Sequence, residues 1–179
     1  MNKRDLLYWK NKYDKEQDLQ NRKVEEILRG KFRKNQFFAK SDLTTIVKWK
    51  FKELPGRQKR TLALLKGVDK SLIKEISKLT FSTRNDEIRL ALLCHIKGVG
   101  NALSSVILAF YDPQNYGIFD IHVWRGLFGK EPRNIWSNKK HVIRFLKKLR
   151  EISNRTGLSC REVEKAFFQK DFERSQAEY

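Results

Sequence analysis

The chain has 179 residues, 40% of them apolar and 12% aromatic, enough to build a core and too many for a disordered tail. Lys and Arg number 39 against 21 Asp and Glu, a formal charge of +18, which favours an anionic partner: nucleic acid first, an anionic membrane surface second. No run of about 18 apolar residues occurs, so no bilayer-spanning helix is predicted and no membrane role is expected.

The opening MNKRDLLYWKNKYDKEQ has no long apolar stretch, so no secretory signal is expected, and the setting is read as cytoplasmic, near the nucleoid. Two cysteines, Cys94 and Cys160, are too few for a four-cysteine iron–sulfur or zinc site. They are read as free thiols in a reducing compartment, with Cys94 buried in its apolar stretch.

The apolar spacing is helical almost throughout, and no segment alternates as a strand does, so the fold class is all-α. A first helix is predicted from Asp5 to Leu28, stopped by Gly30. Ser41 or Asp42 caps the next, through Ile46, Val47 and Trp49. In WKFKELPGRQKR, Pro55 and Gly56 break the chain. A third helix carries Leu62 to Leu65 and ends near Gly67. A fourth starts near Asp69 and uses Leu72, Ile73, Ile76 and Leu79. After a polar connection at Ser82 to Asp86, IRLALLCHI forms a central fifth helix. YDPQNYG is turn-rich, and IHVWRGL is a short helix ended by Gly126 or Gly129. Ser137 caps a long helix with Val142, Phe145, Leu146, Leu149 and Ile152 on one face. Its other face carries Lys139, Lys140, Arg144, Lys147, Lys148 and Arg150. The last helix opens on Ser159-Cys160-Arg161-Glu162, with capping-box spacing. No repeat, low-complexity tract or long linker is present, so residues 1–179 are read as a single domain.

Gly98-Val99-Gly100 falls where one helix must stop and another begin. Glycine tolerates positive φ and lets a foreign backbone come close, and Val99 can pin the turn to the core. The new helix presents free N–H groups from Gly100, Asn101 and Ala102, which with the helix dipole suit a phosphate. Lys97 adds charge, and Ala102, Ser104 and Ser105 are small enough for close helix packing. The plainer alternative is a tight turn between two core helices. Asp120 follows among Ile118, Phe119, Ile121 and Val123. A carboxylate in apolar company needs partners. It either caps the helix starting at Ile121 or, capped and aimed, stabilises a sugar cation or guides an attacking water.

Together these residues resemble the helix-hairpin-helix DNA glycosylase superfamily. The match runs through Ile96-Lys97-Gly98-Val99-Gly100, a helix to Phe110, the loop from Asp112-Pro113 to Gly117, and Asp120, about a fifth of the chain. The glycine-to-acid spacing is similar to that of endonuclease III-type enzymes, and the surrounding sequence looks closer to small bacterial members of unassigned substrate. The resemblance implies a two-lobed helical bundle with the hairpin and catalytic loop at 90–128. It implies Asp120 as the catalytic aspartate and Gly98 and Gly100 as phosphate-hairpin residues. It also implies an interlobe cleft that receives a flipped nucleotide, and a monovalent cation held by hairpin carbonyls; no other cofactor is required. Bifunctional members carry a lysine two residues after the second hairpin glycine, where this chain has Ala102, which cannot form a Schiff base. A monofunctional enzyme is therefore expected, unless another lysine substitutes or activity is lost.

Among the remaining candidates, Trp49, Lys50, Lys52, Arg57, Lys59 and Arg60 form a basic, aromatic segment that either touches the duplex or is a solvated loop with Trp49 in the core. Tyr116, Phe119 and Trp124 flank the acid; either one of them stacks on a flipped base or they belong to the core. His122 is expected to point elsewhere on its helix, and His95 and His141 lack neighbours for a metal site. The expected partner is double-stranded DNA with a lesion, and no obligate protein partner is inferred. The expected function is excision of a damaged or mispaired base. The alternatives are a non-catalytic helix-hairpin-helix protein that binds damaged or branched DNA, and a basic interaction protein whose hairpin binds no DNA.

Overall fold

The computed structural model describes residues 1–16 and 19–177. Ten α-helices and no strand occur among them: α1 Lys3–Glu16, α2 Leu19–Asn35, α3 Lys40–Lys50, α4 Pro55–Lys66, α5 Lys70–Ser82, α6 Asp86–His95, α7 Asn101–Tyr111, α8 Ile121–Phe128, α9 Lys139–Thr156 and α10 Cys160–Ala177. The all-α expectation therefore holds.

The centre is α7. Its sequence NALSSVILAFY contains no charged side chain, and every residue from Asn101 to Phe110 is buried. A helix that is apolar or small on all sides has no face to offer water. It is covered by α2, α3, α6 and α9. On one side Phe32, Phe38 and Phe81 meet at centroid distances of 5.8–5.9 Å, and Tyr111 stacks flat on Phe81 at 3.8 Å. On the other side α10 packs on α1, α8 and α9. Gly126 allows the close approach of α8, because a Cβ there would lie 2.9 Å from Phe167 Cδ1. Arg161 of α10 lies buried between Glu25 of α2, at 3.0 and 3.1 Å, and Glu164. Burial pushes the Glu164 carboxyl up against the pull of Arg161, while for Glu25 the guanidinium outweighs burial and holds it low.

Several helix ends match the local signals. Asp69 accepts from Ser71 N and Leu72 N at 2.8 and 2.9 Å, and Asn85 caps α6. Ser159 and Glu162 form the reciprocal box, with Ser159 N donating to Glu162 Oε2 at 2.8 Å and Glu162 N to Ser159 Oγ at 3.2 Å. Gly157, at φ 71°, ends α9 in the left-handed region, and Gly129, at φ 81°, is the glycine that ends α8.

Other expectations are corrected. The predicted first helix appears as α1 and α2, and its residues 17 and 18 lie outside the described residues. Gly30 does not stop α2, which continues to Asn35, because Phe32 has a core site to fill and is wholly buried. Neither Ser41 nor Asp42 is the cap of α3. Ala39 is, and Asp42 reaches back from the third helical position to accept Ala39 N at 2.8 Å. Pro55 does not break a loop but opens α4 at its first turn, where its missing N–H costs nothing. Asn138, not Ser137, caps α9. Cys160 is the fully buried thiol, pushed up to about 11 by burial, whereas Cys94 is only half-buried.

Candidate active site and glycine-turn groove

The segment between α7 and α8 is stitched to its surroundings before it delivers Asp120. The Pro113 and Gln114 carbonyls accept Arg161 N and Cys160 N at 3.0 and 3.1 Å, answering the first free donors of α10. Gly117 passes so close to α9 and α10 that a Cβ would fall 2.6 Å from Leu149 Cδ1 and 2.8 Å from Glu164 Cβ. Ile118 N donates to Glu164 Oε2 at 3.3 Å. Ser105 of α7 donates to Ala102 O at 2.7 Å and accepts Phe119 N at 2.8 Å. The small residues after the glycine turn thus serve both close packing and the anchoring of the acid.

Asp120 is the N-cap of α8. Its Oδ1 accepts His122 N at 3.1 Å and its Oδ2 accepts Lys50 Nζ at 2.8 Å. Both side chains of the Lys50–Asp120 pair are 16% exposed. Burial raises the carboxyl, but the Lys50 ammonium, its hydrogen bond and the His122 N–H outweigh that and hold it below the ordinary carboxylate value. The acid is therefore ionised, fixed and partly desolvated.

Asp120 and Lys50 share a wall of a cavity of about 380 Å³. Tyr13 and Glu16 of α1, Asn21 of α2, Trp49 of α3, and Glu164, Phe168, Gln169 and Phe172 of α10 complete it. Phe168 and Phe172 lie one helical turn apart with their rings nearly parallel, centroids 5.8 Å apart. Trp49 is held by Nε1 donating to Asn21 O at 3.1 Å. The cavity has the size of a small-ligand site, with flat apolar faces and a few convergent polar groups.

A second groove lies at the glycine turn, lined by Gly98, Gly100, Asn101 and Ala102 on one side and by Arg57, Arg60 and Trp136 on the other. Gly98 has φ +95°, and a Cβ there would lie 3.1 Å from Leu64 Cβ and 3.3 Å from Thr61 O. Val99 is buried and pins the turn, its N–H donating to Ile96 O at 2.9 Å. Gly100 is the N-cap of α7 and offers no side-chain acceptor, so the first N–H groups of the helix lack a capping side chain there. Arg57 lies in the first turn of α4, not on a loop, its guanidinium 4.9 Å from the Phe51 ring centre and 5.9 Å from that of Trp136. Lys97 is exposed. The Ile96 carbonyl keeps a second lone pair beside its bond to Val99, so it fits as one ligand of the monovalent cation that the resemblance implies. The two sites share the chain around the end of α3: Phe51 lines the groove, while Trp49, Lys50 and Lys52 line the cavity.

Of the expected site residues, Asp120 and Trp49 meet in the cavity, and Arg57, Gly98, Gly100, Asn101 and Ala102 meet at the groove. Asn101 is buried and its amide donates to Trp136 O at 2.9 Å, so its side chain holds the 129–138 segment. Tyr116 and Trp124 do not reach the cavity. Tyr116 is buried, accepting Arg89 Nη1 at 2.8 Å and donating to Asp86 Oδ1 at 2.5 Å. Trp124 is 1% exposed and donates to Lys130 O at 3.2 Å. His122 points away, Nδ1 lying 3.0 Å from Asp171 Oδ2. Lys50 as the partner of Asp120, and the whole α10 wall, were missed. No local signal marks them, since Lys50 and Asp120 stand 70 positions apart. The basic face of α9 lines a further groove through Lys139, Lys140, Arg144 and Lys147, but Arg150 is committed to Asp86 at 2.5 Å and Lys148 to Glu151 at 2.8 Å.

No group of His, Cys, Asp and Glu suited to a metal ion occurs among the described residues, and no helix there is long and apolar enough to cross a membrane. No protein-family model matches the chain, and comparison with curated proteins and with solved structures gives no significant match.

Proposed function

We propose that the chain is a DNA glycosylase-like protein of base excision repair that hydrolyses the N-glycosidic bond of a damaged or mispaired base. The observation that carries this reading is Asp120: an ionised carboxylate, held through both oxygens, on the wall of an aromatic-lined cavity. In this reading α6, the glycine turn and α7 are a helix-hairpin-helix motif, and the helices flanking the cavity are two lobes. The turn and Arg57 hold the backbone of a duplex, a contact indifferent to base sequence. The target nucleotide leaves the stack at a cost of a few kcal/mol, least for a damaged base. Its base lies against Phe168, Phe172 or Trp49. As the C–N bond breaks, its electron pair leaves with the base and positive charge grows on the sugar, where the Asp120 carboxylate stabilises it. Ala102 carries no amine, so water is the nucleophile that completes base release.

A second reading has its own support. Capping α8 and pairing with Lys50 account for Asp120 as a structural residue, leaving a protein that binds damaged or branched DNA without chemistry. Base release decides. Duplexes carrying uracil, hypoxanthine, alkylated purines or 8-oxoguanine are incubated with the wild type and with Asp120→Asn. The enzymatic reading expects abasic sites from at least one duplex with the wild type, and loss in the variant with binding retained. Tight, salt-sensitive binding with no release from any duplex favours the binding protein.

A further inference from the structure

We infer that Lys50 is the amine of a second activity in the same cavity: it forms an imine with the aldehyde carbon of an abasic deoxyribose and cleaves the strand on its 3′ side. The inference rests on reading the Asp120 cavity as a sugar site.

Lys50 is the last residue of α3, and a lysine at a helix end ordinarily extends into water. Here it turns inward, 16% exposed, with Nζ 2.8 Å from Asp120 Oδ2. Any sugar close enough for Asp120 to act on its C1′ is therefore also within reach of Nζ. Two lysines line the cavity, Lys50 and Lys52, and Lys50 is the one paired with the acid. A primary amine beside a carboxylate in a partly desolvated pocket suits carbonyl chemistry.

The step balances without any further reagent. A nucleotide seated in the cavity excludes water and disfavours both charges. A proton then passes from Nζ to Oδ2 along the existing hydrogen bond, giving a neutral amine and a neutral acid. The amine adds to the aldehyde carbon of the ring-opened abasic sugar. The Asp120 proton goes to the carbonyl oxygen, and water leaves as the protonated imine forms. The regenerated Asp120 carboxylate takes a proton from C2′. The C3′–O bond breaks, and its electron pair departs with the 3′ phosphate, which receives that proton. Water hydrolyses the unsaturated imine and frees Lys50. The hydrolytic base release proposed above supplies the abasic sugar.

The test uses the full chain and a duplex that already carries one abasic site, treated with sodium borohydride to reduce any imine to a stable amine. A covalent protein–DNA adduct that maps to Lys50 is expected. Lys50→Gln is expected to lower its yield about a hundredfold or more, the scale of losing one chemical group, while Lys52→Gln stays near wild type. Lys50→Arg guards against misfolding: it keeps a cation for Asp120 but forms no imine, so it should fold, bind the duplex and give no adduct. An adduct on Lys52, Lys97 or the N-terminal amine, wild-type yield from Lys50→Arg, or no wild-type adduct above that on intact duplex would each overturn the inference. Base release without an adduct removes Lys50's role and leaves the glycosylase reading standing. An adduct at Lys50 without base release from any lesion does the reverse.

Discussion

Gly98 and Gly100 stand two positions apart and answer to different constraints. Gly98 adopts φ +95° with Leu64 and Thr61 against its missing side chain, so the fold itself requires glycine. Gly98→Ala is expected to lower stability by about 1–3 kcal/mol, measured by denaturant unfolding. A Cβ on Gly100 meets nothing within 4 Å, and its φ of −107° is ordinary. Gly100→Ala should leave the unfolding midpoint nearly unchanged yet weaken duplex binding, because the added methyl intrudes where a phosphate would sit. Equal effects of the two substitutions on stability would refute this division. Asp120 was legible as a residue with two meanings, since an acid in apolar company before a helix is visible in the sequence. Its partner was not. Tyr116 and Trp124 are close in sequence to the acid, but ring direction is decided by distant partners, Arg89 and Asp86 for one and Lys130 O for the other.

At the scale of elements, signals confined to one turn of helix were readable and those that depend on packing were not. The Ser159–Glu162 box is four residues long and formed as its spacing implies. Ser159→Ala should cost about 1 kcal/mol of stability, and no change in the unfolding midpoint would show that the box is idle. Gly30 gave a stop signal that α2 ignores, because tertiary burial of Phe32 outweighs a local glycine penalty of about 1 kcal/mol. The cavity walls come from α1, α2, α3 and α10, whose meeting no periodicity announces. Arg161 ties α10 to α2 from a site 3% exposed. Replacing it by Met leaves Glu25 and Glu164 buried without their cation. A loss of about 3–5 kcal/mol is expected, and thermal unfolding within a degree of wild type would refute the view that Arg161 is their needed counter-ion.

For the molecule as a whole, charge and burial set the response to solution conditions. With a formal charge of +18, duplex affinity should fall steeply with salt, and Arg57→Gln should reduce the slope of log affinity against log salt by about one. An unchanged slope would place Arg57 outside the phosphate contacts. Burial raises three acids that are neutral in the folded state: Cys160 from 9.0 to about 11, and Tyr13 and Tyr116 from 10.0 to about 12. Below pH 9 folded and unfolded chains hold these protons alike. As pH rises from 9 to 12 the unfolded chain releases them first, so the unfolded state is favoured and stability falls. Thermal unfolding followed from pH 8 to pH 11 should show a declining midpoint, with Cys160→Ala softening the early part of the decline. A flat profile would mean that these groups are not shielded as the structure has them.

The central claim is that the Asp120 carboxylate acts on a nucleotide in the α1–α3–α10 cavity. The most direct measurement is single-turnover base release at saturating protein, on the duplex that the lesion panel identifies, comparing wild type with Asp120→Asn at matched occupancy. Asparagine preserves the cap on α8 but not the negative charge. A fall in the rate constant of about a hundredfold or more, with binding and unfolding midpoint retained, is the predicted result. A rate within a few-fold of wild type would contradict it and leave Asp120 as the cap of a helix.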